Sequence, residues 1–123
     1  MNVLFKDESF KIIGACYEIH NTLGHGFIEA VYKNALEIEF TKLGIPFTRE
    51  KPYTIIYKGE ELKHNFFADF VVYDSIILEV KTSGNIIEPH LKQTLNYLKA
   101  SRLKLGIILN FGKPSFEFQR VII

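Results

Sequence analysis

The chain has no tryptophan, one cysteine, one methionine and four prolines in 123 residues. The lone cysteine, Cys16, excludes an intrachain disulfide. Its place in an apolar helical pattern marks it as a small buried hydrophobe rather than a nucleophile. A reducing cytoplasm is the expected compartment, since no signal-peptide pattern opens the chain. No apolar run approaches the length that spans a bilayer, so no membrane partner is expected. An excess of one charge is also missing: Lys+Arg 15 against Asp+Glu 14 leave a formal net charge of +1. That balance excludes the strong basicity of a dedicated DNA-binding domain, so any nucleic-acid contact must use a local patch or a dimer groove. Linkers, repeats and low-complexity segments are absent, which points to one domain over residues 1–123. Apolar residues are abundant, 47% against 24% charged, enough for a substantial core in a globular domain of this size.

The apolar spacing predicts two helices followed by strands. Residues 7–22 carry Phe10, Ile13, Tyr17 and His20 at helical spacing, and Leu23-Gly24-His25-Gly26 breaks that pattern. A second helix is expected over 27–43, closed by Gly44. Its apolar residues cover more than one stripe and predict packing on two sides. Strands over 47–57 and 61–73 flank a turn at Lys58-Gly59-Glu60. Pro52 places the first of them at a sheet edge or beside a bulge. A strand over 76–81, a helix from Pro89 to Ala100, and strands over 103–110 and 116–122 complete the order α-α-β-β-β-α-β-β. This is an α/β domain with a mixed sheet.

Charge inside an apolar strand is the main chemical signal. Glu79 and Lys81 are two apart and leave the same face of a strand that otherwise reads as buried. A two-residue turn at Asp74-Ser75 would pair Phe70 with Glu79 and send Asp69 to the opposite face. An odd turn centred on Asp74 instead pairs Asp69 with Glu79. That register also collects Phe70, Val72, Ile76, Leu78 and Val80 on one apolar face, so it is the one expected. Two carboxylates that share a face repel unless a cation joins them, and hard oxygens favour Mg2+ or Mn2+ over zinc. The Val80 carbonyl is a candidate further ligand. Such an ion would polarise a phosphodiester oxygen and lower the pKa of a water, which Lys81 would orient. An ordinary cross-strand ion pair is the structural alternative.

Two helices could complete such a site. His90, Gln93 and Tyr97 form one stripe, beside an apolar stripe of Leu91, Leu95 and Leu98, while Lys92, Asn96 and Lys99 face water. Gln93 could orient water or a phosphate, and Tyr97 could donate to a phosphate or stack. The alternative packs Tyr97 at the core edge and leaves the other two solvated. Glu29 lies in the first turn of the second helix. It is either a further acidic ligand or part of an exposed salt-bridged face with Lys33 and Glu37. His20 and His25 lack zinc-site spacing and read as structural. Gly24-His25-Gly26 lacks the pattern of a phosphate loop.

These residues resemble a known family. Gly26-Phe27-Ile28-Glu29-Ala30-Val31-Tyr32 fits the G-x-x-E-x-x-Y signature of the bacterial GxxExxY proteins, which are assigned to the PD-(D/E)XK nuclease superfamily. Asp69…Glu79-Val80-Lys81 resembles the superfamily's core motif, with Ala68 where its name has proline. Gln93-Thr94-Leu95-Asn96-Tyr97 is similar to the Q-x-x-x-Y motif of its exonuclease-like branch, and the stretch from Leu105 to Gly112 also looks like the family's. The likeness covers nearly the whole chain. It implies a restriction-endonuclease-like αβββαβ core, a central mixed sheet flanked by helices, with an extra N-terminal helix and a C-terminal strand. It implies metal ligation by Asp69 and Glu79, a catalytic role for Lys81, and support from Glu29, Gln93 and Tyr97. The function so implied is Mg2+-dependent hydrolysis of DNA phosphodiesters, with RNA as a second candidate substrate and a homodimer as one candidate state. A catalytically silent module of the same fold, binding nucleic acid or a protein, is the alternative.

Overall fold

Burial along each helix shows which side of it meets the sheet. A computed structural model describes residues 3–123. The first helix, α1 (Lys6–Leu23), buries Ile12, Ala15, Cys16 and Ile19, an i, i+3, i+4, i+7 stripe. The expected stripe of Phe10, Ile13, Tyr17 and His20 lies beside it. His20 is buried, but Phe10 is 81% exposed and Tyr17 half-exposed. Small Ala15 and Cys16 let the helix approach the sheet where two aromatic rings would hold it off.

The second helix, α2 (Glu29–Leu43), begins after Phe27 and Ile28, because Ile28 is extended at its cap. It buries Tyr32, Leu36 and Phe40 on one stripe, while Phe27, Ile28, Ile38 and Leu43 stay exposed. It packs against α1 as well as the sheet, and only its outer face stays open to solvent. Gly44 closes it at φ 69, as expected, its N–H donating to Phe40 O and Thr41 O.

Strands β1 (Phe47–Tyr57) and β2 (Glu60–Val72) form a long hairpin. Its turn is the two residues Lys58-Gly59, both at positive φ (49 and 83), the geometry that matches strand twist. Beyond the tip the register shifts between Thr54 and Ile56. Strand β3 (Ile76–Lys81) follows, then α3 (Glu88–Ser101), β4 (Leu105–Asn110) and β5 (Glu117–Ile122). The sheet order is β1-β2-β3-β4-β5, so β1, with Pro52, is an edge strand as its proline requires. All neighbours are antiparallel except β3 and β4, which run parallel with α3 as their crossover. The segment from α2 to β4 supplies the αβββαβ order, with α1 added before it and β5 after.

The sheet is covered on both faces. Phe70, Val72, Ile76, Leu78 and Val80 join the α1 and α2 residues with Leu105, Ile107 and Leu109 in one core. Val71, Ile77, Ile108 and Val121 pack with Tyr97 and Leu98 of α3 in the other. Close backbone approach is needed at Gly112, where an added Cβ would stand 2.4 Å from the main chain of Thr82 and Ser83. The fully buried Asn110 clamps the same corner. Its Oδ1 accepts from the N–H groups of Ser83 (3.2 Å) and Gly112 (3.0 Å), and its Nδ2 donates to Glu117 Oε1 (3.4 Å). The Phe111 N–H donates to the Lys81 carbonyl at 2.9 Å. No helix among the described residues is long and apolar enough to cross a membrane.

Candidate active site

The β2–β3 turn decides which side chains can meet. Val72, Val71 and Phe70 pair with Ile76, Ile77 and Leu78, so Asp69 falls opposite Glu79. The turn is the three residues Tyr73, Asp74 and Ser75, with Tyr73 and Asp74 at φ 55 and 53. The expected register therefore holds from Val72 to Phe70, and its next step sets Asp69 against Glu79.

Here side chains take over the ladder. The Asp69 N–H donates to Glu79 Oε2 at 2.9 Å, and the Val80 N–H donates to Asp69 Oδ2 at 2.8 Å. Each carboxylate thus binds a backbone donor of the neighbouring strand. Alternation along β2 also breaks at this point: Ala68 and Phe66 join the α3 side, as Val71 does. Glu79 is only 2% exposed. Burial first and the Asp69 charge second push its pKa up to about 8, against the pull of the Asp69 N–H, Lys81 and Lys33.

Strand β3 and helix α3 present the remaining expected residues. Lys81 Nζ donates to Gln93 Oε1 at 2.9 Å, so Gln93 fixes the ammonium's direction. Tyr97 is buried and meets Phe66 edge-on at 5.6 Å. Burial and then the charges of Glu79 and Asp69 raise its phenol to about 12, which leaves it a proton donor at neutral pH. His90 stands on the same helix, in the stripe of Gln93 and Tyr97. Burial first and then Lys81 lower its pKa, while Glu29 raises it. Its Nδ1 accepts from the Ile87 N–H at 3.2 Å, so it also caps α3. Val80 contributes its N–H to Asp69 and its side chain to the α1–α2 core.

Two residues that the sequence reading did not assign to the site reach this centre. Lys33 Nζ stands 2.7 Å from Asp69 Oδ1, 3.2 Å from Glu50 Oε1 and 3.4 Å from Glu29 Oε1. Burial works against its charge, but Asp69 and Glu50 outweigh it and hold the pKa above the ordinary lysine range. The Glu29–Lys33 pair of the exposed-face alternative is thus present, but Lys33 turns inward. Glu50 lies opposite Asp69, between the pairs Arg49–Phe70 and Lys51–Ala68. It holds a left-handed φ of 55, a conformation that a non-glycine residue adopts only under constraint. Spacing of four from Glu29 could have found Lys33; Glu50 had no such signal.

Other candidates fall outside this centre. His20 is buried and its Nε2 donates to the Lys113 carbonyl at 2.8 Å, while His25 is exposed. Cys16 is buried, and burial pushes its thiol well up, so it is inert as expected.

The donor set is all carboxylate, which is what Mg2+ or Mn2+ takes. As the side chains stand, no group of three or more His, Cys, Asp or Glu among the described residues is arranged to hold a metal ion. The acids nevertheless fit one: three carboxylates already gather around a single cationic atom, and Glu79 is buried beside them with no cation in direct contact.

Comparison with known proteins bears on this arrangement. A family model described as the PD-(D/E)XK nuclease superfamily matches residues 6–121. The crystal structure of SSO0001 shares the fold, with a TM-score of 0.62 at 20% identity over 96% of this chain. This chain spans 60% of that one. No curated protein matches. The mixed five-stranded sheet with flanking helices is thus a restriction-endonuclease-like fold.

Proposed function

The chain belongs to the PD-(D/E)XK nuclease superfamily, and from that premise we propose that it is a magnesium-dependent nuclease of the GxxExxY type that hydrolyses DNA phosphodiester bonds. The observation that carries this reading is the bonding of Asp69 to Glu79 and Val80 beside a lysine aimed by Gln93. Asp69, Glu79, the Val80 carbonyl and Glu29 would hold Mg2+ or Mn2+. When bound, the ion supplies Lewis acidity to a phosphodiester oxygen and lowers the pKa of a water. Lys81 orients the attacking water and offsets charge that grows on the phosphate. Gln93 positions Lys81, and the Tyr97 hydroxyl donates to a phosphate oxygen. DNA is the proposed substrate, with RNA as the second arm of the assay. The proposed setting is the cytoplasm, and the proposed assembly a homodimer.

One observation favours a second reading, a nuclease-fold module that binds nucleic acid or a protein without turnover. Lys33 already neutralises Asp69, as a structural ion pair would. The two readings separate in one assay. Labelled DNA and RNA are incubated with protein and Mg2+ or EDTA, alongside Asp69→Ala and Lys81→Ala. The nuclease reading expects cleavage by the wild type that needs Mg2+ and disappears in both variants. Salt-sensitive binding without cleavage supports the silent module. Equal cutting by wild type and variants would come from a contaminant and leave the nuclease reading without support.

A further inference from the structure

We propose that Lys33 is a tethered counter-cation that closes the acidic centre, and that a divalent ion enters by displacing its ammonium from Asp69. This rests on the nuclease reading of that centre. The geometry is specific. Asp69 on β2, Glu50 on β1 and Glu29 on α2 each place one oxygen within 3.4 Å of Lys33 Nζ. An ammonium has three N–H donors, one for each of these oxygens. Asp69 Oδ2 is already bound to the Val80 N–H. Its other oxygen, Oδ1, is therefore the one left for a metal, and it is the one Lys33 covers.

The displaced ammonium has a place to go. The side chains of Glu29 and Glu50 are 41% and 48% exposed, whereas that of Asp69 is 11% exposed. Rotation about the last bonds of the flexible lysine stem releases Asp69 and keeps the ion pair with Glu50, which leaves Glu29 for the metal. The backbone supports this exchange. Glu50 sits opposite Asp69 at φ 55, so its carboxylate meets the ammonium beside Asp69 in a conformation that only the surrounding structure sustains. Metal affinity therefore scales with the fraction of time that Lys33 leaves Asp69 uncovered.

The test is calorimetric titration of Mn2+ into the wild type, Lys33→Met and Lys33→Arg. Removal of the competing charge is expected to tighten Mn2+ binding by about tenfold or more in Lys33→Met, with no gain in Lys33→Arg. Asp69→Asn combined with Lys33→Met is expected to lose the tight binding. Lys33→Gln serves if Lys33→Met does not fold without metal. As a second readout, Mn2+ should raise the melting temperature of Lys33→Met more than that of the wild type. Equal Mn2+ affinity in wild type, Lys33→Met and Lys33→Gln overturns the gating role and leaves the nuclease reading standing. Absence of Mn2+ binding in every variant overturns both.

Discussion

Glu79→Gln is expected to stabilise the metal-free protein at pH 8 and to abolish metal-dependent cleavage. Both effects come from one buried carboxyl. In the folded state burial and Asp69 raise its pKa to about 8, against 4.5 as the ordinary value. The folded protein therefore holds a proton that the unfolded chain releases across that window. More protons bound in the folded state means that stability falls as pH rises from about 4.5 to 8. A glutamine carries no charge to bury and still accepts the Asp69 N–H. At pH 8 the gain is on the order of 4 kcal/mol, taking about 1.4 kcal/mol per pKa unit. Urea denaturation of both proteins at pH 5 and pH 8 in EDTA checks this, and the gap should widen with pH. A gap that does not change with pH would mean that Glu79 is not the titrating group. Cleavage, by contrast, should drop on the order of 10^3-fold, since an amide cannot supply the second negative ligand. A residue that destabilises the fold and serves the chemistry is a familiar trade in enzymes.

Gly112→Ala is expected to cost about 3 kcal/mol or more, because it makes the closest clash that a Cβ would meet at any glycine of this chain. The new Cβ would stand 2.4 Å from the backbone of Thr82 and Ser83, and backbone cannot rotate aside as a side chain does. Compare Gly106, whose added Cβ would meet the Thr94 methyl at 2.5 Å, a group on a side chain. The strain at Gly112 would fall on the segment just after Lys81. Loss of the Gly112 N–H to Asn110 Oδ1 bond would then loosen the end of β3. Thermal melts should show the drop. A variant that melts within a degree or two of the wild type would show that the corner can open.

The acidic pair was legible because two constraints agreed. Only an odd turn around Asp74 collects Phe70, Val72, Ile76, Leu78 and Val80 on one face, and the structure has that turn. The element order and the bounds of β3 were equally readable, since apolar runs bounded by turn residues leave few choices. Which helical face turns inward was not. In α1 the aromatic stripe outweighs the small-residue stripe in hydrophobicity, but Ala15 and Cys16 allow the closer packing. Glu50 was hidden by a register shift. Counting back from Lys58-Gly59 with Ile56 opposite Glu61 sets Glu50 opposite Phe67. The irregularity beyond Thr54, where Asn65 becomes the partner, moves it opposite Asp69. No local residue pattern announces that shift. Lys33 escaped assignment to the site because spacing of four describes an ion pair with Glu29 without saying which way the lysine points.

The parallel join of β3 to β4 has a consequence for how the molecule assembles. Val72 and Ile76 meet across a three-residue turn, whereas Ile76 waits for Leu105 on the far side of a helix. Short loops close before long ones, so the two carboxylates come together early and the ribbon that bears the lysine is braced late. Pulse-labelled amide exchange during refolding should protect Phe70 before Ile107, and the reverse order would contradict this sequence of events. Until α2 packs down, Asp69 also lacks Lys33, the counter-charge that the finished centre gives it.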